Sequence, residues 1–197
     1  MAITVRDDYK GFFKIFQDVN KDALGEYITR YEQNYLIRLL GCDLYEEFIA
    51  DLTPDSPQTP QTQRFIDIFD PFCDDERTSI GNYVRVEGYS IFPDDDCCLD
   101  CPRRYMSRGI PDMLKGFVRW HFLRDQSTKN TQVGFSTHNS DTFTTVSDSV
   151  LSDRLATVWN EAVESFNAIS YRICDNLGDY PNYKGDGFIL PQTNYGF

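Results

Sequence analysis

Apolar residues spaced three and four positions apart predict an amphipathic helix in the first quarter of the chain. They are Leu24, Tyr27, Ile28, Tyr31, Tyr35, Leu36, Leu39 and Leu40. Asn20 suits the N-cap of this helix, and Gly41 suits the left-handed conformation that ends one. A second helix is predicted directly afterwards, over residues 42–52, so the two helices form a corner or a hairpin.

The same spacing predicts three more helices, over residues 63–72, 110–125 and about 151–177. The fourth predicted helix is apolar on most faces and is therefore expected to be the central buried element. Its apolar residues are Met113, Leu114, Phe117, Val118, Trp120, Phe122 and Leu123. The last helix is expected to close at Gly178.

Four stretches lack this helical period. Residues 53–61 hold three prolines and predict an extended surface linker. Residues 73–108 form an insertion in which the alternation over 83–87 and 89–92 predicts a small β-hairpin. Residues 127–149 are a polar arm rich in Ser, Thr and Asn, and residues 178–197 are an extended C-terminal tail.

These patterns predict a mainly α fold: a bundle of about four to five helices with a small β-hairpin insertion, a long polar arm and an extended C-terminal tail. Residues 1–177 are expected to form one helical domain, to which the tail over 178–197 is attached. A chain of 197 residues is long enough to bury one main core without a disulfide or a metal.

The charge balance narrows the classes of function. Nineteen Lys and Arg residues face 31 Asp and Glu residues, a formal net charge of -12, which disfavours a protein that holds nucleic acid by neutralising phosphates. No apolar run approaches the roughly 20 residues of a membrane span, and the N-terminus has no signal-peptide pattern, so we expect synthesis in the cytoplasm and no membrane partner.

The cysteines are the sharpest candidate for metal chemistry. Cys98 and Cys101 have the spacing that can place two thiolates on one zinc ion, and Cys73 and Cys97 could complete four ligands. A disulfide and a reduced loop are the alternatives. The reduced loop is favoured, because Cys73 stands alone whereas structural zinc sites usually show two paired elements, so no cofactor is expected.

Catalytic constellations are missing from the sequence. His121 and His138 are its two histidines; His121 lies on the fourth predicted helix, where we expect a hydrogen-bonded core or interface histidine, and His138 lies in the polar arm. There is no Gly-rich phosphate loop, nucleophile elbow or His-Glu-x-x-His motif. The sequence therefore favours a structural protein over an enzyme.

One string carries a family resemblance. Residues 107–125 read SRGIPDMLKGFVRWHFLRD, in which the pattern Gly-x-x-Asp-Met-Leu-x-Gly-Phe is not explained by helical period alone. This string resembles a segment of the head-to-tail connector (neck ring) proteins of tailed phages, particularly crAss-like and other Bacteroidetes-infecting phages. Residues 31–40, 44–52 and 63–69 are similar too, so the resemblance covers roughly residues 20–72 and 107–177.

The resemblance implies a helical adaptor of the virion that docks beneath the portal protein in a ring of twelve copies, with the tail or a second neck protein below. It carries over no catalytic residue. The insertion over 73–108 and Pro111 depart from the family pattern. Alternatives are another virion protein of the tail or capsid, and, with less support, a small zinc-binding module or a thiol enzyme.

The net charge fits a DNA passage channel. Twelve copies would together carry roughly -144, and a lumen lined with carboxylates repels duplex phosphate, so genomic DNA would pass without specific binding. An acidic surface that keeps the subunit in solution before assembly is an equally good explanation.

The C-terminal tail is the predicted interface. Fixing about twenty backbones costs on the order of 20 to 40 kcal/mol, whereas burying its apolar side chains returns only about 10 to 20 kcal/mol. We therefore expect this tail to be ordered only by packing on a neighbouring subunit or another neck protein. The expected interface residues are Tyr180, Tyr183, Phe188, Ile189, Leu190, Tyr195 and Phe197.

Overall fold

A computed structural model describes residues 3–9, 21–54, 57–74, 105–127, 129–131, 134–136 and 148–192. This part of the chain contains a short 3₁₀ turn at Arg6–Asp8 and five α-helices. The helices are α1 (Lys21–Leu40), α2 (Cys42–Asp51), α3 (Gln63–Phe69), α4 (Gly109–Ser127) and α5 (Asp148–Asp175). The prediction of a mainly helical fold is confirmed, with helix ends close to those that the periodicity indicates.

Gly41 forms the corner between α1 and α2. Its φ of 78° lies in the left-handed region, its N–H donates to the carbonyl of Ile37 (2.8 Å), and its own carbonyl accepts from the N–H of Tyr45 (3.0 Å). A Cβ at this position would also lie 2.6 Å from the backbone of Lys184. The glycine is therefore required by the backbone conformation and by a close approach of the tail.

Helix α4 is the centre of the bundle, as predicted, and it packs against α1, α3 and α5. It crosses α5 closely at Gly116, where a Cβ would lie 2.8 Å from the Cβ of Ala162. Trp120 differs from the prediction because it is only half-buried. Its ring centroid lies 4.6 Å from that of Trp159. The buried side chains of α4 are Ile110, Met113, Leu114, Phe117, Val118 and Phe122.

The main hydrophobic core draws on all five helices and on the tail. Phe117 stacks on Tyr35 of α1 (centroids 3.9 Å apart) and meets Phe166 of α5 edge to face (6.2 Å). Tyr180 and Ile189 of the tail belong to the same cluster of buried residues. The described part of the tail therefore shares the core of the helical domain.

Two pairs of short antiparallel strands lie between the helices in the part of the chain that the structure describes. Strand β1 (Phe72–Asp74) pairs with β2 (Tyr105–Ser107), with Cys73 opposite Met106, and so joins the two ends of the insertion. Strands β3 (Lys129–Thr131) and β4 (Gly134–Ser136) pair within the polar arm. The hairpin predicted over 83–92 lies outside the described residues.

Helix α3 is shorter than predicted. Asp70 follows its last residue with ψ of 158°, because the proline ring at Pro71 disfavours the helical conformation of the residue before it. Phe72 then enters β1 instead of completing the helix.

A buried carboxylate holds the N-terminal segment. Glu32 of α1 accepts from the backbone N–H groups of Ile3 (3.2 Å) and Thr4 (2.8 Å) and from the hydroxyl of Thr4. Burial raises the pKa of Glu32, while these hydrogen bonds favour its charged form. The two N–H groups and the hydroxyl of this segment therefore take the place of the water molecules that would otherwise hydrogen-bond to the carboxylate.

Phe117→Ala and Trp120→Ala compare a core position with a half-buried one on the same helix. Phe117→Ala should lower the free energy of unfolding by about 3 to 5 kcal/mol, because it empties the stack between Tyr35 and Phe166. Trp120→Ala should cost clearly less, since part of its ring already faces water. Urea unfolding of both variants measures the difference, and equal losses would place Trp120 in the core.

Candidate interaction surface on the C-terminal tail and helix α5

The first part of the tail, residues 178–186, is named here the proximal tail. It turns back from the end of α5 through hydrogen bonds from the N–H of Asp179 to the carbonyl of Asn176 (2.9 Å) and from the N–H of Tyr180 to that of Leu177 (3.2 Å). Tyr180 is only 3% exposed, and its hydroxyl donates to the carbonyl of Arg64 in α3. This tyrosine is the first anchor of the tail.

The proximal tail then caps the C-terminus of α1. The N–H of Lys184 donates to the carbonyl of Leu40 (3.3 Å), and the N–H of Asp186 donates to the carbonyl of Arg38 (2.7 Å). The last four carbonyls of a helix have no partner within it, so these bonds satisfy groups that would otherwise need water. Gly185 lies so close to the carbonyl of Leu39 that a Cβ there would overlap it.

Two ion pairs accompany this cap. Lys184 Nζ lies 2.6 Å from a carboxylate oxygen of Asp43, and Arg38 Nε lies 3.0 Å from one of Asp186. The four side chains are between 39% and 73% exposed, so each pair adds little stability by itself. They fix the register of the proximal tail on α1 and α2.

Residues 188–192, the distal tail, run antiparallel along α5 and are held by two asparagines. Asn167 donates from Nδ2 to the carbonyl of Ile189 (2.9 Å) and accepts at Oδ1 from the N–H of the same residue (2.9 Å). Asn160 makes the identical pair of bonds with Gln192, at 3.0 and 2.7 Å. Each side-chain amide therefore replaces the backbone of a neighbouring strand.

The spacing of the two asparagines matches an extended peptide. Seven residues of helix rise about 10.5 Å, and three residues of extended chain, from Ile189 to Gln192, span about 10 Å. Between and beside them, Trp159 Nε1 donates to the carbonyl of Leu190 (3.4 Å) and Ser170 Oγ donates to that of Gly187 (3.2 Å). We call the α5 face formed by Trp159, Asn160, Asn167 and Ser170 the tail groove.

The expectation that only a partner orders the tail is wrong for residues 178–192. Tyr180 and Ile189, at 3% and 7% exposed, are buried by their own chain, and Tyr183 and Phe188 are half-buried. Leu190 is 47% exposed. The estimate failed because it left out hydrogen bonds within the chain, which the end of α1 and the asparagines of α5 provide. Tyr195 and Phe197 lie outside the described residues.

An aromatic cluster joins α1 to α4 around His121. The imidazole stacks on Tyr31 (centroids 3.7 Å apart, 9° between planes), and its Nε2 is 2.9 Å from the hydroxyl of Tyr35. Burial, followed by the positive charge of Arg124, lowers the pKa of His121 to about 4. The hydrogen bond predicted for His121 is present, the ring is half-buried between α1 and α4, and it is neutral at pH 7.

The cysteine hypothesis stays a prediction. Cys73 contributes its backbone to β1, whereas Cys97, Cys98 and Cys101 lie outside the described residues. Within the residues that the structure describes, no group of three or more His, Cys, Asp and Glu side chains is arranged to hold a metal. Cys42 is exposed at the start of α2.

The glycines of the 107–125 string serve the packing of α4. Gly109 has φ of 85°, and a Cβ there would overlap the carbonyl of Phe69, while Gly116 allows the close crossing with Ala162.

Among the described helices, none is both long enough and apolar enough to cross a membrane. No family model, curated protein or solved structure matches this chain.

The tail groove was missed by the sequence reasoning, although it left a signal. Asn160 and Asn167 occupy the interior of a long helix, where asparagine is unfavourable because its amide competes for backbone groups. Two asparagines exactly seven residues apart lie on one face of such a helix. That pattern indicates a partner for the amides but does not say which segment provides it.

Acidification should destabilise the fold through His121. The unfolded histidine takes up a proton near pH 6.5 and the folded one only near pH 4, so the unfolded state binds more protons between these values and stability falls as the pH falls. From pH 7 to pH 5 this loss should be about 1 to 2 kcal/mol. Urea unfolding at both pH values measures it.

Two histidine variants isolate this contribution. His121→Phe keeps an aromatic ring over Tyr31 and should remove the His121 part of the pH dependence. His138→Gln, which changes the second histidine of the chain, should leave that part in place. Identical pH dependence in wild type and His121→Phe would contradict the assignment.

Asn167→Ala and Asn160→Ala test the tail groove with two residues of the same geometry. Asn167 is 6% exposed, so its loss leaves the buried N–H and carbonyl of Ile189 without partners and should cost about 2 to 4 kcal/mol. The bonds of Asn160 face solvent, and water can replace them at a cost below about 1 kcal/mol. Equal losses in thermal or urea unfolding would contradict the difference in burial.

Proposed function

We propose that this chain is a structural subunit of a ring in the neck of a tailed phage, placed between the portal protein and the tail. The observation that carries the proposal is the resemblance of residues 107–125 to neck ring proteins, together with the place of this string in the fold. The string forms β2's last residue and most of α4, the centre of the bundle.

The other resembling segments pack on the same centre. Residues 31–40 lie in α1, residues 44–52 in and just after α2, and residues 63–69 are α3. Tyr35 of the first segment stacks on Phe117 of α4, and Phe48 of the second meets Phe65 of the third edge to face (5.3 Å). The resemblance thus concerns residues that form one packed unit.

The charge supports passage of DNA through such a ring. Each copy carries a formal net charge of -12, so twelve copies would carry about -144. Exposed carboxylates such as those of Glu46, Asp67, Asp70 and Asp175 lie on several helices and loops of the described chain. A surface of this sign repels duplex phosphate, so DNA would slide past it without specific binding.

The tail provides a contact surface for the ring. Leu190 lies over α5 with 47% of its surface exposed, although its own carbonyl is held by Trp159. A large apolar side chain presented on an ordered extended segment suits burial against a neighbouring subunit or the portal protein. The proposed partners are further copies of this chain in a ring of twelve, the portal on one side and the tail or a second neck protein on the other.

The full-length chain, purified by itself and imaged by negative-stain electron microscopy with light scattering, should form rings or bind to purified portal rings. Leu190→Asp should weaken this assembly without changing the melting temperature of the subunit. Met106→Asp, which changes an equally exposed apolar residue outside the tail, should leave assembly intact. A monomer that neither oligomerises nor binds portal rings at any concentration would contradict the proposed function.

A further inference from the structure

We propose that the tail groove also binds the distal tail of a second copy of this chain, so that neighbouring subunits exchange residues 188–192. In the structure the groove holds the distal tail of its own chain. The inference rests on the proposed function in one respect, since the ring places neighbouring subunits close together. Residues 188–192 are the segment that would connect them.

The two parts of the tail are attached in different ways. The proximal tail is held on α1 by the close approach of Gly185 and by hydrogen bonds to the last carbonyls of the helix, and on α3 by the buried Tyr180. The distal tail is held by side-chain amides that bind its backbone and by the buried side chain of Ile189. The distal tail can therefore leave the groove while the proximal tail stays in place.

The groove recognises the distal tail mostly by its backbone. Two of its side chains contact the protein: Ile189 is buried, and the ring centroid of Phe188 lies 4.2 Å from that of Tyr171. The other contacts of the distal tail are hydrogen bonds to its N–H and carbonyl groups. The same segment from a neighbouring copy would satisfy every one of these contacts. Exchange therefore keeps every contact of residues 188–192, which makes segment swapping inexpensive. The bond from Ser170 Oγ to the carbonyl of Gly187 belongs to the pivot and lies outside the exchanged segment.

Gly187 is the pivot between the two parts. Its φ of 79° is left-handed, and a Cβ added there would meet no atom within 4 Å, so no close neighbour imposes this conformation. Glycine adopts positive and negative φ about equally well. A change of φ at this one residue redirects the distal tail away from its own α5, with a reach of about 17 Å for five extended residues.

Assembly decides which copy fills the groove. Because the distal tail is attached to its own subunit by a short connection, its effective concentration at the tail groove of that subunit is of the order of millimolar. Dilute monomers cannot compete with that value, so each keeps its own tail. In a closed ring the tail of a neighbour is present at a comparable concentration, and exchange becomes possible without a new contact.

A disulfide trap with isotope labels tests the exchange in the full-length chain. The double variant Asn160→Cys with Gln192→Cys replaces the exposed pair of the groove and keeps the buried pair of Asn167 and Ile189. Labelled and unlabelled copies are mixed, assembled or concentrated, oxidised and digested, and mass spectrometry identifies peptides joined through the two introduced thiols. Exchange predicts mixed-isotope pairs in the assembled fraction and single-isotope pairs in the dilute monomer.

Gly187→Ala tests the pivot, and Gly178→Ala is its matched control, since a Cβ at Gly178 also meets no atom within 4 Å and its φ is not left-handed. Alanine in the left-handed conformation costs about 1 to 2 kcal/mol, so the ratio of mixed to single-isotope pairs should rise about 5- to 30-fold. The control variant should leave the ratio unchanged.

The outcomes separate this inference from the proposed function. Rings that yield only single-isotope pairs would overturn the exchange and leave the neck ring standing. Mixed pairs in a concentrated chain that forms no ring and binds no portal would support the exchange and overturn the proposed function. Single-isotope pairs in concentrated protein without rings would overturn both.

Discussion

The close crossing of α4 and α5 at Gly116 and Ala162 is the contact on which the rest of the structure depends. With only the methyl group of Ala162 between the two backbones, the helices approach until Phe117 fits between Tyr35 of α1 and Phe166 of α5. A larger residue at either position would separate the helices and open a gap around that ring, and close-packed cores do not tolerate such gaps. The orientation of α5 that follows presents Asn160 and Asn167 to the tail.

The tail completes the helical domain because it forms hydrogen bonds with carbonyl and amide groups of the helices that would otherwise be exposed to water. Lys184 and Asp186 donate to the end of α1, and the distal tail exchanges hydrogen bonds with the amides of α5. A segment with no regular secondary structure is thereby ordered without a sheet edge. The same hydrogen bonds would also hold the distal tail of another copy, because they are made to backbone N–H and carbonyl groups and not to side chains.

The proposed neck ring, the acidic surface and the tail fit together physically. An acidic channel prevents adhesion of DNA, yet it also makes identical subunits repel each other, and apolar or neutral contacts between copies add nothing to this repulsion. Leu190 and the amide pairs of the tail groove are of these kinds. The aromatic cluster around His121 stays within the bundle and connects α1 to α4, which makes it a structural element of the subunit.

The sequence by itself determined the helices, because their apolar spacing and Gly41 act over a few neighbouring residues. Pro71 acts just as locally, although the apolar spacing alone predicted that the third helix runs through it. It also indicated the hydrogen-bonded histidine on α4. It could not reveal that β1 pairs with β2 across the insertion, or that Trp120 is half-buried, because both depend on contacts between distant parts of the chain. The destination of the tail was decided in the same way. Its aromatic residues indicate burial, but only the tertiary structure brings the free carbonyls of α1 and two asparagines of α5 to the place where the tail passes.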